Sequence, residues 1–225
     1  MESEIRSRPA FAHLVLHLNP GESVTAEAGA MASMSAFTRL TARWNGGFFG
    51  AVLRKLFGGE TLFVNEVACP EGAPGPAEVV LTQPTPGDMI GLPLDGNSLF
   101  LQSGAYIAST AGVTLSVAWA GIGSFLGGEG LFRLKASGKG TVWIGAYGAI
   151  TPRQIGSEPG DELIIDSGHL LAYEPTVQLR SGLAGGIFSS FFGGEGIVMR
   201  IRGPGRIFLQ TRSLEGLAAW TNGFL

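Results

Sequence analysis

The chain has 225 residues, of which 45% are hydrophobic and 15% charged, and its formal net charge is −3. This length and apolar content suffice for the core of one all-β domain. The 15 Lys and Arg residues are outnumbered by 18 Asp and Glu and form no long basic run, which argues against nucleic-acid binding through phosphate neutralisation.

The first third of the chain predicts strands separated by glycine-rich turns. Residues 11–18 alternate as a strand and run into Asn19-Pro20-Gly21, whose residue types favour a tight turn before a second strand at 21–27. Residues 46–57 are compatible with a short helix that carries Phe49, Leu53 and Leu56 on one face. Two further strands are expected at 61–67 and 77–81.

The second third begins after a Pro-Gly-Asp boundary at residues 86–88. Residues 89–94 and 96–102 are expected as two strands joined by a turn at Asp95-Gly96. An apolar segment at 121–126 follows. Residues 131–136 and 141–144 are expected as a hairpin that turns at Gly138-Lys139-Gly140.

The last third begins at a second Pro-Gly-Asp boundary, residues 159–161. Strands are expected at 162–165 and 168–174, and then a hairpin of 197–202 and 206–209 around Gly203-Pro204-Gly205. Arg200 and Arg202 alternate with Met199 and Ile201, which predicts a strand with one wet face. Residues 213–222 are expected as a short helix with Ser213 as N-cap.

One tetrapeptide, an aromatic residue or Leu followed by Gly-Gly-Glu, occurs three times at nearly even spacing. Such periodicity is the mark of internal duplication, so we predict a single domain of three repeats, at about 11–85, 86–158 and 159–212, before the C-terminal helix. The predicted class is all-β, with about four mostly antiparallel strands per repeat in a pseudo-threefold β-sandwich or barrel assembly. The repeated turn residues are Gly58, Gly59, Glu60, Gly127, Gly128, Glu129, Gly193, Gly194 and Glu195.

Several of these motifs resemble one protein family. The third Gly-Gly-Glu turn is followed by Gly-Pro-Gly and a Phe-Leu-Gln strand (203–210), and the chain also carries Glu-Ala-Gly-Ala-Met (27–31) and Thr-Arg-Ser-Leu (211–214). Together they resemble the mitochondrial-biogenesis family and its bacterial relatives. The resemblance implies a fold similar to the tryptophan RNA-binding attenuator protein, no established catalytic residues, and for mitochondrial members a link to inner-membrane organisation. RNA binding is not expected to transfer, because no basic and aromatic stripe matches.

Few polar residues suggest chemistry. Glu60, Glu129 and Glu195 either fix their own turns or form a cation site at the pseudo-threefold axis. His13 and His17 lie about 13 Å apart if they share a strand, which is too far to chelate one metal ion. No phosphate loop, nucleophile elbow or cofactor motif is found, so no cofactor is expected.

Cys69 is the only cysteine and cannot form an intramolecular disulfide, which favours a reducing, cytoplasmic setting. It is interpreted as a passive thiol, because no base is near it in sequence. The polar N-terminal run is not expected to be a signal peptide. No apolar run reaches the roughly 18 residues that a membrane span requires.

The apolar segment before each Gly-Gly-Glu turn is the candidate interaction surface. The three segments either pack against the end of the domain or form an exposed patch for a partner or membrane, and Arg54 and Lys55 would suit an anionic surface. The candidate residues are Phe48, Phe49, Leu53, Leu56, Phe125, Leu126, Phe188 and Phe191.

The expected function is a non-enzymatic interaction or scaffold protein. It would self-associate as a homo-oligomer, or dock onto a membrane-associated protein partner, with peripheral membrane contact as one form of docking. The alternative is a binding module for a small ligand or ion at the pseudo-threefold axis. An enzyme is not expected, because the sequence shows no set of acid, base and nucleophile.

Overall fold

The computed structural model describes residues 1–44, 63–102, 104–119, 132–158, 160–182 and 198–222. Strands dominate these ranges and every pairing between named strands is antiparallel, which confirms the predicted all-β class. The strands are β1 (Glu2–Arg6), β2 (His13–Leu18), β3 (Ser23–Glu27), β4 (Met31–Met34), β5 (Arg39–Trp44), β6 (Phe63–Ala68), β7 (Ala77–Leu81), β8 (Met89–Leu101), β9 (Tyr106–Thr110), β10 (Val113–Trp119), β11 (Phe132–Gly145), β12 (Ile150–Ile155), β13 (Leu163–Asp166), β14 (Leu170–Tyr173), β15 (Gln178–Gly182), β16 (Val198–Arg202) and β17 (Gly205–Gln210).

The described strands form three sheets. The largest has ten strands in the order β12-β17-β14-β8-β11-β9-β3-β6-β5, with β10 paired alongside β11. A four-stranded sheet has the order β1-β2-β7-β4, and a three-stranded sheet has the order β13-β16-β15. Over the described ranges each sheet is open, so the closed-barrel form of the predicted assembly is wrong. A closed barrel has no unpaired edge strand, whereas β4 and β13 each lie at the end of a sheet and have only one strand partner in the described ranges.

Strand pairing follows one scheme in three successive sets of six segments. The first set is β2 to β7. The second consists of β9, β10 and the two halves each of β8 and β11, and the third is β12 to β17. In every set the first segment pairs with the sixth and the second with the fifth. The third also pairs with the sixth and the fourth with the fifth. Each set thus has six segments, where the sequence predicted about four strands.

The hairpin predicted around residues 138–140 is wrong. Residues 132–145 form the single strand β11, which pairs with β8 along almost its whole length. β8 likewise continues without reversing direction at Asp95-Gly96, where a turn was predicted. The register shifts once, between Ser137 and Lys139, beside Gly138 with its φ of 115°. A glycine at a bulge bends a strand without reversing it, so the residue types that mark a hairpin serve here to carry two paired strands through a bend.

The hairpin predicted around residues 203–205 is also wrong. β16 pairs with β13 and β15, whereas β17 pairs with β12 and β14, so these two consecutive strands lie in different sheets. The strands 63–68 and 77–81 are divided between sheets in the same way. The strand predicted at 162–165 occupies the second position of its set, because β12 occupies the first.

Buried side chains form three clusters, which explains how so apolar a chain is accommodated. One lies around Leu16 and Leu81, a second around Leu101 and Ile144, and a third around Ile201. Each fully buried aliphatic side chain contributes roughly 1.5–3 kcal/mol.

The C-terminal helix is confirmed. Helix α1 spans Leu214–Asn222, and the backbone N–H of Gly216 donates to Oγ of Ser213 at 3.0 Å, as an N-cap requires. Glu215 lies in its first turn, where a negative charge is favourable. No residue of the helix is buried.

Candidate interaction surface

All residues of the predicted apolar surface lie outside the described ranges, as do the three Gly-Gly-Glu turns. Their places in the chain are nevertheless equivalent. The three segments connect β5 to β6, β10 to β11 and β15 to β16, which is the connection between the fourth and fifth segments of each set.

The histidines and the cysteine occupy structural positions. His13 and His17 lie on the same strand, β2, as predicted, and are opposite Arg6 and Glu2 of β1, respectively. Nδ1 of His169 is 2.8 Å from the carbonyl oxygen of Gln210. Cys69 is buried. Among the described residues no three His, Cys, Asp or Glu side chains are grouped so that they would hold a metal ion.

Two buried polar groups are engaged in fixing the fold. The Asp88 carboxylate accepts from Nε and Nη2 of Arg8 at 2.7 and 2.8 Å and also from the backbone N–H of Met89. The Tyr106 hydroxyl lies 2.9 Å from the carbonyl oxygen of Thr25 and 2.9 Å from Oγ of Ser109. Burial raises the pKa of Tyr106, so its hydroxyl stays protonated. The Asp88 contacts join the segment after β1 to the start of β8, and the Tyr106 contact joins β9 to β3.

The outer face of the β13–β16–β15 sheet carries several charged side chains. Alternation along β16 buries Met199 and Ile201 and turns Arg200 and Arg202 outward. Arg180 of β15 is the direct cross-strand partner of Arg200. Like charges placed opposite each other destabilise a sheet unless a counter-charge lies between them.

Among the described residues, Glu162 is the one carboxylate that pairs with arginines of this face. It accepts from Nη1 of Arg200 at 2.9 Å and also bonds Arg202, and the Arg200 hydrogen bond is the main reason that the pKa of Glu162 is lowered. The structure gives Arg180 no carboxylate partner in the described ranges. The face therefore carries three guanidinium groups and one carboxylate, which is a net positive surface.

An apolar side chain completes this face. Ile164 of β13 is the cross-strand partner of Arg200 on the side away from Arg180, and it is 58% exposed. Arg180, Arg200 and Ile164 thus form one row across three strands. We call the outward side chains Glu162, Ile164, Arg180, Arg200 and Arg202 the cationic face. Its geometry suits an anionic surface that also offers apolar contact.

The sequence indicated only part of this face. The alternation of Arg200 and Arg202 with buried residues was visible, and it is confirmed. The juxtaposition with Arg180 depends on the register between β15 and β16, which no local pattern specifies. Within the described part of the chain, no helix has the length and apolar character needed to cross a bilayer.

Comparison with known proteins places the chain in a wider group. It is similar to an uncharacterised protein of Streptococcus pyogenes serotype M6, with 27% identity over 223 residues, covering 96% of this chain and 87% of that protein. A crystal structure of a Streptococcus pyogenes protein superposes with a TM-score of 0.79 at 26% identity, over 100% of this chain and 99% of that one. The model of the family described as Mitochondrial biogenesis AIM24 matches residues 3–212, and the chain belongs to that family.

Proposed function

We propose that the protein is a non-enzymatic interaction or scaffold protein that self-associates or docks onto a membrane-associated partner. The observation that carries this proposal is the cationic face, where Arg180 and Arg200 are directly opposed and Ile164 is exposed beside them. Two directly opposed arginines destabilise the sheet of the free protein. Near an anionic membrane surface, each arginine contributes about 1 kcal/mol to the free energy of binding.

The proposal includes an internal symmetry. The three sets of six segments would be three repeats around a pseudo-threefold axis, in a fold like that of the tryptophan RNA-binding attenuator protein. Support comes from the four pairings that recur in every set. A β-bulge also recurs where the third segment pairs with the sixth. Its extra residue lies on the third segment each time, between Met31 and Ser33 of β4, between Tyr106 and Ala108 of β9, and between Leu170 and Ala172 of β14.

The same symmetry bears on the three apolar segments. Because their flanking strands pair alike in all three sets, the proposed axis would bring the segments to one end of the molecule. Phe49, Phe125 and Phe191 would then lie on one surface and add apolar contact to partner docking. The cationic face adjoins the third of these segments, through β15 and β16.

Co-sedimentation with phosphatidylcholine vesicles, with and without phosphatidylserine, tests the docking proposal. We expect the unmodified chain to sediment with the anionic vesicles at low salt and to be released at high salt, because screening weakens exposed charges. Arg180→Glu, and separately Phe49→Asp combined with Phe191→Asp, should lower the bound fraction. Arg39→Glu is the matched control, since it makes the same charge change on β5.

Equal recovery of all variants with both kinds of vesicle would count against membrane docking. A chain that binds neither vesicle and stays monomeric on dilution, measured by light scattering, would count against the interaction role as a whole.

A further inference from the structure

Glu162 neutralises only one part of the cationic face. Its Oε2 accepts from Nη1 of Arg200 at 2.9 Å, and its Oε1 contacts the Nε and Nη2 atoms of Arg202. The Glu162 side chain is only 20% exposed, so it orients both arginines of β16 from beside them. Arg180 of β15 is exposed, and no carboxylate in the described ranges pairs with it.

The part that Glu162 does not neutralise lies between Arg180 and Arg200. These residues are direct cross-strand partners, and the Cβ atoms of such a pair lie about 4.5–5.5 Å apart. In the described part of the chain, Glu162 engages Arg200 through Nη1, which leaves the Nε and Nη2 groups of that guanidinium to donate to a second acceptor. Two neighbouring guanidinium groups can donate together to one group that carries several oxygens.

The charge of the cationic face matches a dianion. Its three guanidinium groups and one carboxylate leave two positive charges. A phosphate monoester carries a charge of about −1.5 to −2 at neutral pH and has three terminal oxygens that accept hydrogen bonds. A phosphodiester has one negative charge and two such oxygens. The monoester therefore complements the face better, both in charge and in the number of acceptors for arginine forks.

An apolar neighbour indicates which kind of molecule carries the phosphate. Ile164 is the cross-strand partner of Arg200 on the side away from Arg180, and it is 58% exposed. A free phosphate ion would gain nothing from contact with this side chain. In a lipid whose headgroup is a bare phosphate, the glycerol and acyl chains follow the phosphate directly. An apolar side chain beside the arginines would then contact the boundary between headgroups and acyl chains.

We propose that the cationic face binds a lipid whose headgroup ends in a phosphomonoester, as in phosphatidate, with the phosphate held between Arg180 and Arg200. Glu162 is a positioning residue, because it orients Arg200 without contacting the lipid. Such a preference rests on the proposed membrane docking and goes beyond it, because docking through net charge alone does not distinguish lipids of equal charge.

Flotation with two kinds of phosphatidylcholine vesicle, one containing phosphatidate and the other phosphatidylserine, tests this preference when both are adjusted to the same zeta potential. The unmodified chain should bind the phosphatidate vesicles roughly tenfold more tightly, which is the ratio that one additional charged hydrogen bond supplies. Arg180→Lys keeps the positive charge but loses the fork, so it should remove most of this ratio. Arg39→Lys makes the same change at an exposed position of β5 and should retain the ratio.

Soluble glycerol phosphate, added as a competitor, separates a lipid from a free phosphate ester. It should leave the chain on the phosphatidate vesicles, because it offers Ile164 no apolar contact. Release of the chain by glycerol phosphate at the concentration of the accessible phosphatidate would make the free ester the ligand and would overturn the lipid assignment.

The vesicle results also separate this preference from docking in general. Equal binding to both vesicles would overturn the phosphomonoester preference and leave membrane docking in place. Binding to neither would count against both. If the unmodified chain prefers phosphatidate and Arg180→Lys keeps that preference in full, the phosphate is held elsewhere and its assignment to the cationic face is wrong.

Discussion

The ring of Phe100 stacks on the ring of Tyr173, with centroids 5.2 Å apart, at the junction where β8 pairs with β14. The guanidinium carbon of Arg133 lies 5.3 Å from the centroid of the Tyr173 ring, and Nη1 of Arg133 donates to the Tyr173 hydroxyl. One buried aromatic side chain therefore joins β14 to β8 and to β11.

Tyr173→Ala should destabilise the protein by about 3–5 kcal/mol, since it removes a buried aromatic ring. Urea unfolding followed by circular dichroism measures this change. Leu217→Ala on the exposed helix is the control and should change the free energy of unfolding by less than about 0.5 kcal/mol. A small effect of Tyr173→Ala would mean that this junction does not stabilise the sheet.

The sequence predicted the first, second, fifth and sixth segments of the first two sets and the capped helix, because apolar alternation and the Ser213 cap are local signals. It missed β4, β5, β9, β10, β12 and β15. It failed where glycines were interpreted as hairpin turns. Gly138 and Gly140 have positive φ values, as in a turn, but here they bend β11 within an uninterrupted ladder. Whether a glycine reverses a strand or bends it depends on which strands are paired, and pairing is not local.

The sequence likewise predicted only the part of the cationic face that depends on a local pattern. Arg200 and Arg202 were visible as the wet side of a strand, because period-two alternation is local. Arg180 and Ile164 became part of the same face only through the registers of β15 and β13 with β16. No sequence pattern in this chain specified those registers.

Asp88→Ala should cost about 2–3 kcal/mol, because it removes charged hydrogen bonds with Arg8 and one with the backbone of Met89. Arg8→Ala should have a comparable effect, since it leaves a buried carboxylate without its cation. The double variant should therefore cost less than the sum of the two single changes, as a double-mutant cycle will show. Strict additivity would contradict this reading of the pair.

Gly87→Ala should destabilise the fold by about 2–3 kcal/mol, because the added Cβ would overlap the carbonyl oxygen of Ala146 and the backbone of Gly148, which cannot move aside as a side chain can. Gly72→Ala is the matched control, since its Cβ would meet nothing within 4 Å. The thermal unfolding midpoints of the two variants give the comparison. Equal midpoints would show that the backbone near Gly87 yields easily.

Acid should destabilise the protein partly through Glu162 and Glu174. The hydrogen bond from Arg200 is the main cause of the lowered pKa of Glu162. Burial raises the pKa of Glu174, but the backbone N–H and guanidinium of Arg206 outweigh it and the net pKa is lowered. Because the unfolded chain binds these protons more tightly, their stabilisation is present above the ordinary carboxyl pKa of 4.5 and is lost as pH falls below it.

Glu162→Gln combined with Glu174→Gln should therefore flatten the fall of the unfolding midpoint between neutral and strongly acidic pH. Glu71→Gln, at an exposed turn position, is the control and should leave the pH profile unchanged. A profile that stays as steep in the double variant would assign acid sensitivity to other carboxylates.

The pseudo-threefold arrangement that we propose for the three sets is tested most directly by the distances between spin labels. Thr41, Ser116 and Arg180 are exposed and hold equivalent positions, opposite Glu66, Lys135 and Arg200 of the fifth segments. Cysteines are placed at these sites two at a time and spin-labelled while Cys69 stays buried. Pulsed electron paramagnetic resonance then gives the three distances between the labels. The account predicts three distributions with one common mean, the sides of an equilateral triangle, whereas three clearly different means would contradict it.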